Sequence, residues 1–272
     1  MSKKVVKAKQ DLTNLSWSKI SFGVGGSRLK SYSNTSKGKT YYKLSNYDPY
    51  YGIIGHECVN EIIVDRLLDI LAVEHLSYQL IHADILVDDK VIDTYLCASL
   101  DFKQPNESKI ALDSYYQSER FKKETPLDFC LRQGWSNYIY QMLVVDYLIL
   151  NRDRHGANIE VLRNNKNNAI RLAPLFDHGL SLLFQCTNDE ALKNVDVLED
   201  KPVQCFVGSR SSYDNLKIIP TGKYPKLNSL KESDKDFLFE DLDEVLSTIC
   251  QDKIWEMIYK RWKVYEDLCD KK

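Results

Sequence analysis

The sequence has no apolar run approaching the ~20 residues needed to cross a bilayer. Its basic start, Met1-Ser2-Lys3-Lys4, is not followed by an apolar stretch, so it does not read as a secretory leader. It lacks any C-x-x-C pair. The seven cysteines (58, 97, 130, 186, 205, 250 and 269) are odd in number and scattered, which argues against a disulfide frame or a zinc site and fits reduced thiols in a cytoplasmic protein. None of the five histidines stands in an H-E-x-x-H spacing, so a catalytic transition metal is not expected. Nor is there an excess of positive charge. With 37 Lys and Arg against 39 Asp and Glu, the net charge of −2 excludes a generic nucleic-acid or membrane-surface binder, which needs a basic surplus. Repeats and low-complexity tracts are also missing. What remains is ordinary for a soluble domain: 272 residues, 43% hydrophobic and 28% charged, long enough to bury a core without staples.

Up to about residue 102 the pattern is rich in strands with one helix. Short strands are predicted at 16–22, 28–33 and 40–44, separated by Gly- and Ser-rich turns. A helix follows at 56–71, where Val59, Ile62, Ile63, Leu67, Ile70 and Leu71 recur at helical spacing. Residues 77–87 and 91–99 flank the polar Asp88-Asp89-Lys90 turn and predict a hairpin. A polar connector at 104–108 leads into a helical region, with its clearest helix at 135–150. Two short strands, 159–163 and 169–173, are joined by an asparagine-rich turn, and a last helix is predicted at 253–268. The expected class is α+β: a small β-rich part over residues 1–102 and a larger helical part over 103–272.

The run Asn151-Arg152-Asp153-Arg154-His155-Gly156-Ala157-Asn158 sits between a buried helix and a hairpin. Asp153 and Asn158 are spaced as the carboxylate and amide of the H-R-D-x-x-x-x-N loop of kinases. Beyond the hairpin, Asp177-His178-Gly179 has the form of the D-F-G metal-binding triplet. A returning strand would bring Asp177 beside Asn158, giving one base and two oxygen ligands for Mg²⁺, the set phosphoryl transfer needs. Taken singly, Asp153 and Asp177 read equally as a cap and a turn residue; it is the order of loop, hairpin and Asp-x-Gly that carries weight. His155 is read as a scaffold residue orienting the loop. Arg152 and Arg154 are read as phosphate contacts or as solvated loop arginines.

A second signal is Ser21-Phe22-Gly23-Val24-Gly25-Gly26-Ser27, whose glycines would let backbone N–H groups approach phosphate oxygens. It is neither a Walker loop nor a Rossmann fingerprint, and alone it is equally a hairpin turn. The strand after it carries Lys43, which shares a face with Tyr41 while Tyr42 and Leu44 point away. Glu57 and Glu61 lie one turn apart on the next helix. Glu61 is preferred as the partner of Lys43, because Glu57 falls at the helix end.

These residues resemble the HipA-like serine/threonine kinases, with a wider likeness to phosphoinositide 3-kinase-type catalytic cores. Residues 151–158 are similar to the family's N-x-D-x-H-x-x-N loop, Leu172-Ala173-Pro174-Leu175-Phe176-Asp177 to its L-a-P-l-Y/F-D strand, and the helix from Asn60-Glu61 to its N-E-x-x-x-x-x-L-A helix. The likeness spans about residues 20–180. It implies a bilobal protein-kinase-like fold, ATP and Mg²⁺ as cofactors, a protein hydroxyl as acceptor, an antitoxin-like regulator as partner, and autophosphorylation in the Gly-rich loop, with Ser27 the candidate. The chain departs from the family in having little room for an extra N-terminal subdomain and in its Asp177-His178-Gly179 triplet.

The resulting expectation places Asp153, Asn158 and Asp177 at the chemistry, with Asn158 and Asp177 on the metal. Gly23, Gly25, Gly26, Ser27, Lys43 and Glu61 surround ATP, and residues 97–100 form a hinge meeting the adenine. A phosphoinositide kinase, a small-molecule kinase or a nucleotide-binding pseudokinase would share much of this pattern. The stretch 185–208 has a net charge of −3 from Asp189, Glu190, Asp196, Glu199 and Asp200 against Lys193 and Lys201, which favours a protein acceptor over an anionic lipid.

Overall fold

The computed structural model describes residues 4–18, 28–35, 38–184, 186 and 188–270. The glycine-rich loop, with Gly23, Gly25, Gly26 and Ser27, lies outside the described residues, as do four of the seven positions of the strand predicted at 16–22.

The chain opens with β1 (Val5–Asp11), β2 (Lys30–Thr35) and β3 (Gly38–Lys43), a small ribbon of β4 (Tyr47–Asp48) and β5 (Gly52–Ile53), and helix α1 (Glu57–Leu71). Next come the long strands β6 (Tyr78–Val87) and β7 (Lys90–Leu100). One five-stranded sheet collects these in the order β1-β6-β7-β3-β2, with β1 parallel to β6 and the other neighbours antiparallel. The β6–β7 hairpin turns at Asp88 and Asp89, whose φ values of 50° and 60° are the left-handed pair that a two-residue turn matched to strand twist requires.

The rest is mostly helical. After β8 (Glu107–Ala111) come α2 (Leu112–Glu119), α3 (Pro126–Arg132) and α4 (Ser136–Leu148), then the short strands β9 (Asp153–Arg154), β10 (Glu160–Asn164) and β11 (Ile170–Leu172). Beyond these lie α5 (Asp189–Lys193), β12 (Gln204–Cys205), α6 (Ser212–Lys217), α7 (Lys235–Phe239) and the long α8 (Thr248–Asp270). Strands β11, β10 and β8 form a small antiparallel sheet, and β12 pairs with β9. Among the described residues no helix is long and apolar enough to cross a membrane.

Helix α1 is enclosed on nearly every side. Its Ile62, Ile63, Val64, Leu67 and Leu68 are fully buried, and so are the polar Asn60, Glu61, Asp65 and Arg66. Each of those polar groups therefore needs an internal partner. Arg66 donates to the carbonyl of Leu238 at 2.9 Å, and Asp65 takes Lys4 and the N–H of Tyr78. The same core continues through α4 and α8, where Met142, Val145, Ile254 and Trp262 are buried. It is this shared core that fixes α1 relative to the loop after α4, and so sets the spacing of the groups described next.

Candidate active site

Two strands and a helix place the first group of charges. The β2–β3 register sets Lys30 opposite Lys43, so their side chains share a face of the sheet. Tyr42 is buried on the other face, as period-two alternation demands. The ammonium of Lys43 lies 2.9 Å from Asp177 Oδ1 and 3.6 Å from Glu61 Oε1. Glu61 also accepts the backbone N–H of His178 at 2.9 Å. Glu57 is buried as well, at 4% exposure, and accepts the N–H of Asn46 instead. Lys43 therefore pairs with Glu61, but not because Glu57 frays; Glu57 is occupied elsewhere.

Asp177 has a φ of 59°, an unusual conformation for a residue with a side chain, and its N–H donates to the Tyr78 hydroxyl. Asn60 donates to the carbonyls of Gly179 and Ser181, both at 3.0 Å, which ties α1 directly to the segment after Asp177. A Cβ on Gly179 would stand 2.6 Å from a guanidinium nitrogen of Arg28, so a glycine there is what admits this arginine. Burial opposes a charge on Asp177, but Lys43, Arg28 and Lys30 outweigh it and hold the carboxyl well below the usual carboxylate range. Burial pushes the Glu61 carboxyl upward, with Lys43 opposing. The Lys30 ammonium is lowered by burial and then by repulsion from Lys43.

The second group comes from the loop after α4. The Asn151 amide oxygen accepts the N–H of Asp153, and Asn158 Nδ2 donates to the Asp153 carbonyl at 2.7 Å. His155 Nδ1 accepts the N–H of Ala157 while its Nε2 stands 3.6 Å from Asp153 Oδ1, so the ring orients the loop and its carboxylate. Burial raises the pKa of Asp153; His155 opposes the rise and nearby Asp177 adds to it.

Arg154 corrects the expectation of a phosphate contact or a solvated arginine. It is 1% exposed and clamps Asp146 through Nε and Nη2, while Nη1 donates to the carbonyls of Asn158 and Phe176. Arg152 is the outward one, donating to the Pro202 carbonyl. Residues 97–100 are not a hinge. They run in the middle of the five-stranded sheet, paired with β3 on one side and, through Cys97, Ala98 and Ser99, with β6 on the other, so their backbone groups are committed to the ladder. The chain leaves the sheet only at Asp101. Residues 188–208 are held to the body of the protein: Leu192, Val197 and Val203 are buried, and the N–H groups of Gln204 and Phe206 donate to the carbonyls of Arg152 and Arg154.

Arg28, Lys30, Asn60 and Tyr78 were not anticipated from the sequence. The signal for Lys30 was the β2–β3 pairing itself: a lysine opposite Lys43 in a two-strand register is readable once both strands are placed. The donor set suits the divalent cation and nucleotide that the motif resemblance implies. Asp177 and Asn158 offer the oxygen ligands a hard divalent cation takes. Three cations drawn together, with Lys30 lowered by burial and then by Lys43 and Arg28, suit a polyphosphate.

A cationic strand, a buried glutamate on the helix behind it, a metal-type carboxylate in a left-handed turn, and an aspartate and asparagine on one loop together have the layout of a kinase site. The fold agrees. The chain is similar to the crystal structure of the Helicobacter pylori proinflammatory kinase CtkA, with a TM-score of 0.65 and 19% identity over 96% of each chain. The Shewanella oneidensis MR-1 HipA toxin, solved with HipB and operator DNA, aligns at 13% identity over 91% of this chain and 59% of that one, with a TM-score of 0.41. No family model matches the sequence, and no curated protein matches it. The fold shared with the first of these is mixed α/β, with a β-rich sheet part and several helices.

Proposed function

We propose that the chain is a HipA-like serine/threonine kinase that transfers the γ-phosphate of ATP to a protein hydroxyl. The observation that supports this best is Lys43 standing 2.9 Å from Asp177 and 3.6 Å from Glu61, with Arg154 tying the segment before Asp177 to the loop that carries Asp153 and Asn158. In this reading residues 1–102 and 103–272 are two lobes of one cytoplasmic kinase domain, with ATP between them. Lys43 and Lys30 hold phosphates, Glu61 orients Lys43, and residues 23–27 cover the nucleotide. Asp177 and Asn158 would hold Mg²⁺, which supplies charge neutralisation at the phosphates. Asp153 aligns the acceptor hydroxyl and receives its proton as the new O–P bond forms and the bond to the leaving ADP breaks.

The protein acceptor rests on charge. Lys193 pairs with Glu190 and Lys201 with Glu199, so the net −3 of residues 185–208 resides on Asp189, Asp196 and Asp200. Each of these accepts hydrogen bonds from uncharged donors, from Ser247, the N–H of Leu198, and Ser211 with Ser212. That field repels an anionic head group and suits a basic peptide. Incubation of the purified protein with labelled ATP and Mg²⁺, with histone in one arm and phosphatidylinositol vesicles in the other, is expected to label histone. Mass spectrometry of the same sample is expected to find phosphate on Ser27. Lipid labelling without protein labelling would instead support the phosphoinositide reading, and no labelling of any acceptor would support a pseudokinase. An antitoxin-like regulator is part of the proposal through the motif resemblance alone.

The raised pKa of Asp153 has a readable consequence. The carboxylate form is the active one, so turnover is full above its folded pKa and is lost as pH falls through it. Because burial has moved that pKa up, the acid limb of the kcat/KM profile is expected above the ordinary aspartate range. An acid limb at or below that range would exclude Asp153 as the titrating group.

A further inference from the structure

Glu160 is an acidic residue that the reading above does not use, and it follows the catalytic-type loop directly. It begins β10, two residues after Asn158. Its cross-strand neighbour on β8 is Ala111, and on the other side the N–H of Ala173 donates to its carbonyl at 2.8 Å. Directly opposed residues share a face, so the glutamate stands between two alanines on that small sheet. Around it lie the first residues after the sheet. Lys109 pairs with Asp101 at 2.9 Å and sits 4.0 Å over the Phe102 ring, and Phe102 packs on Phe176 with centroids 5.5 Å apart. Phe176 leads directly into Asp177.

Burial raises the pKa of the Glu160 carboxyl, and Lys109, Asp101, Asp177 and Lys43 are all near enough to act on it, which puts it in the electrostatic reach of the phosphate-type cluster. Yet its Oε2 is buried with no hydrogen-bond partner, and among the described residues no cation stands within 4.0 Å of it. A buried carboxylate oxygen without a donor is costly, and such groups in native proteins call for a reason. An apolar side chain between two alanines would have carried no such cost.

We infer that Glu160 is a specificity-determining residue whose carboxyl accepts a hydrogen bond from the nucleoside half of the nucleotide, a sugar hydroxyl or a ring amine. This rests on the nucleotide-site reading above. Phe176, which packs on Phe102 and immediately precedes Asp177, puts aromatic surface next to the cationic cluster, and a base can stack on such surface. An acceptor-only side chain suits donors on sugar and base and disfavours phosphate oxygens.

Calorimetric titration of the full-length protein with Mg-ATP, Mg-2′-deoxy-ATP, Mg-3′-deoxy-ATP, Mg-GTP and Mg-tripolyphosphate tests it. For Glu160→Gln, ATP binding is expected to weaken about tenfold or more, the effect of losing a charged acceptor, while tripolyphosphate binding is unchanged. Wild type is expected to prefer ATP over one of the deoxy nucleotides if the donor is a hydroxyl, or over GTP if it is the ring amine. Glu160→Gln, which keeps a neutral acceptor, is expected to weaken that preference, and Glu160→Ala, which removes the acceptor, to erase it. Glu160→Ala provides the check should the amide variant misfold, and melting curves establish that each variant is folded. Equal ATP affinity in folded variants, or an equal loss for ATP and tripolyphosphate, overturns the role of Glu160 and leaves the kinase reading standing. Wild type that binds tripolyphosphate and no nucleotide overturns both.

Discussion

Asp177→Asn is expected to abolish phosphate transfer and, in the same protein, to reverse the metal dependence of nucleotide binding. The wild-type carboxylate faces Lys43 at 2.9 Å and is held ionised by Lys43, Arg28 and Lys30. A neutral amide leaves those three cations gathered against Glu61 and Glu57. Mg²⁺-dependent nucleotide binding should then weaken, because one of two oxygen ligands has lost its charge. Nucleotide binding in EDTA should hold or tighten, because the cation cluster has gained net charge. Asp153→Asn should fall in turnover to a similar extent, about a hundredfold to a thousandfold or more, and keep its Mg²⁺-dependent nucleotide affinity. The measurements are labelled-phosphate transfer and nucleotide titration with and without Mg²⁺, with melting curves to establish folding. Full turnover in either folded variant removes the central claim, and identical binding behaviour of the two removes the division of roles.

The parts of this site that were legible in the sequence are those whose spacing is local. Asp153 and Asn158 lie within one loop, and the hairpin carrying the chain to Asp177 is announced by its asparagine turn. The Asp88-Asp89 turn and the apolar spacing of α1 are equally local signals, and the elements appear within a residue or two of where they were expected. What was hidden depends on long-range pairing. Strand β1 is basic and weakly alternating, and it exists because it lies parallel to β6, some seventy residues on. Arg152 and Arg154 are indistinguishable by type and context. Arg152 is half-buried and Arg154 fully buried because Asp146, eight residues before Arg154 on α4, faces the second. The hinge was misplaced for a related reason: strand composition marks residues 97–100 as β but cannot say that β3 and β6 flank them. Helix α3 was legible in principle, since Thr125 caps it by accepting the N–H of Asp128, with Pro126 at its first turn.

Arg154 joins stability to function, and the two can be separated. Its guanidinium and the Asp146 carboxylate form a buried pair that also takes Asn151 Nδ2 at 2.8 Å. Removing one partner strands the other charge in the core, at a cost of about 3–5 kcal/mol. For a domain of this size, with about 2–4 °C per kcal/mol, Arg154→Leu is expected to lower Tm by about 6–20 °C. Replacing both partners with apolar residues of similar volume removes the stranded charge, so Arg154→Met with Asp146→Leu is expected to recover most of that loss. Activity should not return with it. Arg154 Nη1 donates to the carbonyls of Asn158 at 3.1 Å and Phe176 at 2.9 Å, so one side chain holds the two chain segments that end in Asn158 and lead into Asp177. No apolar pair can hold both carbonyls at a fixed separation, and a displacement of about 1 Å there costs on the order of a hundredfold in rate. Thermal denaturation beside a transfer assay on the single and double variants decides it. A double variant that recovers stability but stays slow assigns Arg154 a positioning role, whereas one that recovers both shows that the buried pair serves the fold alone.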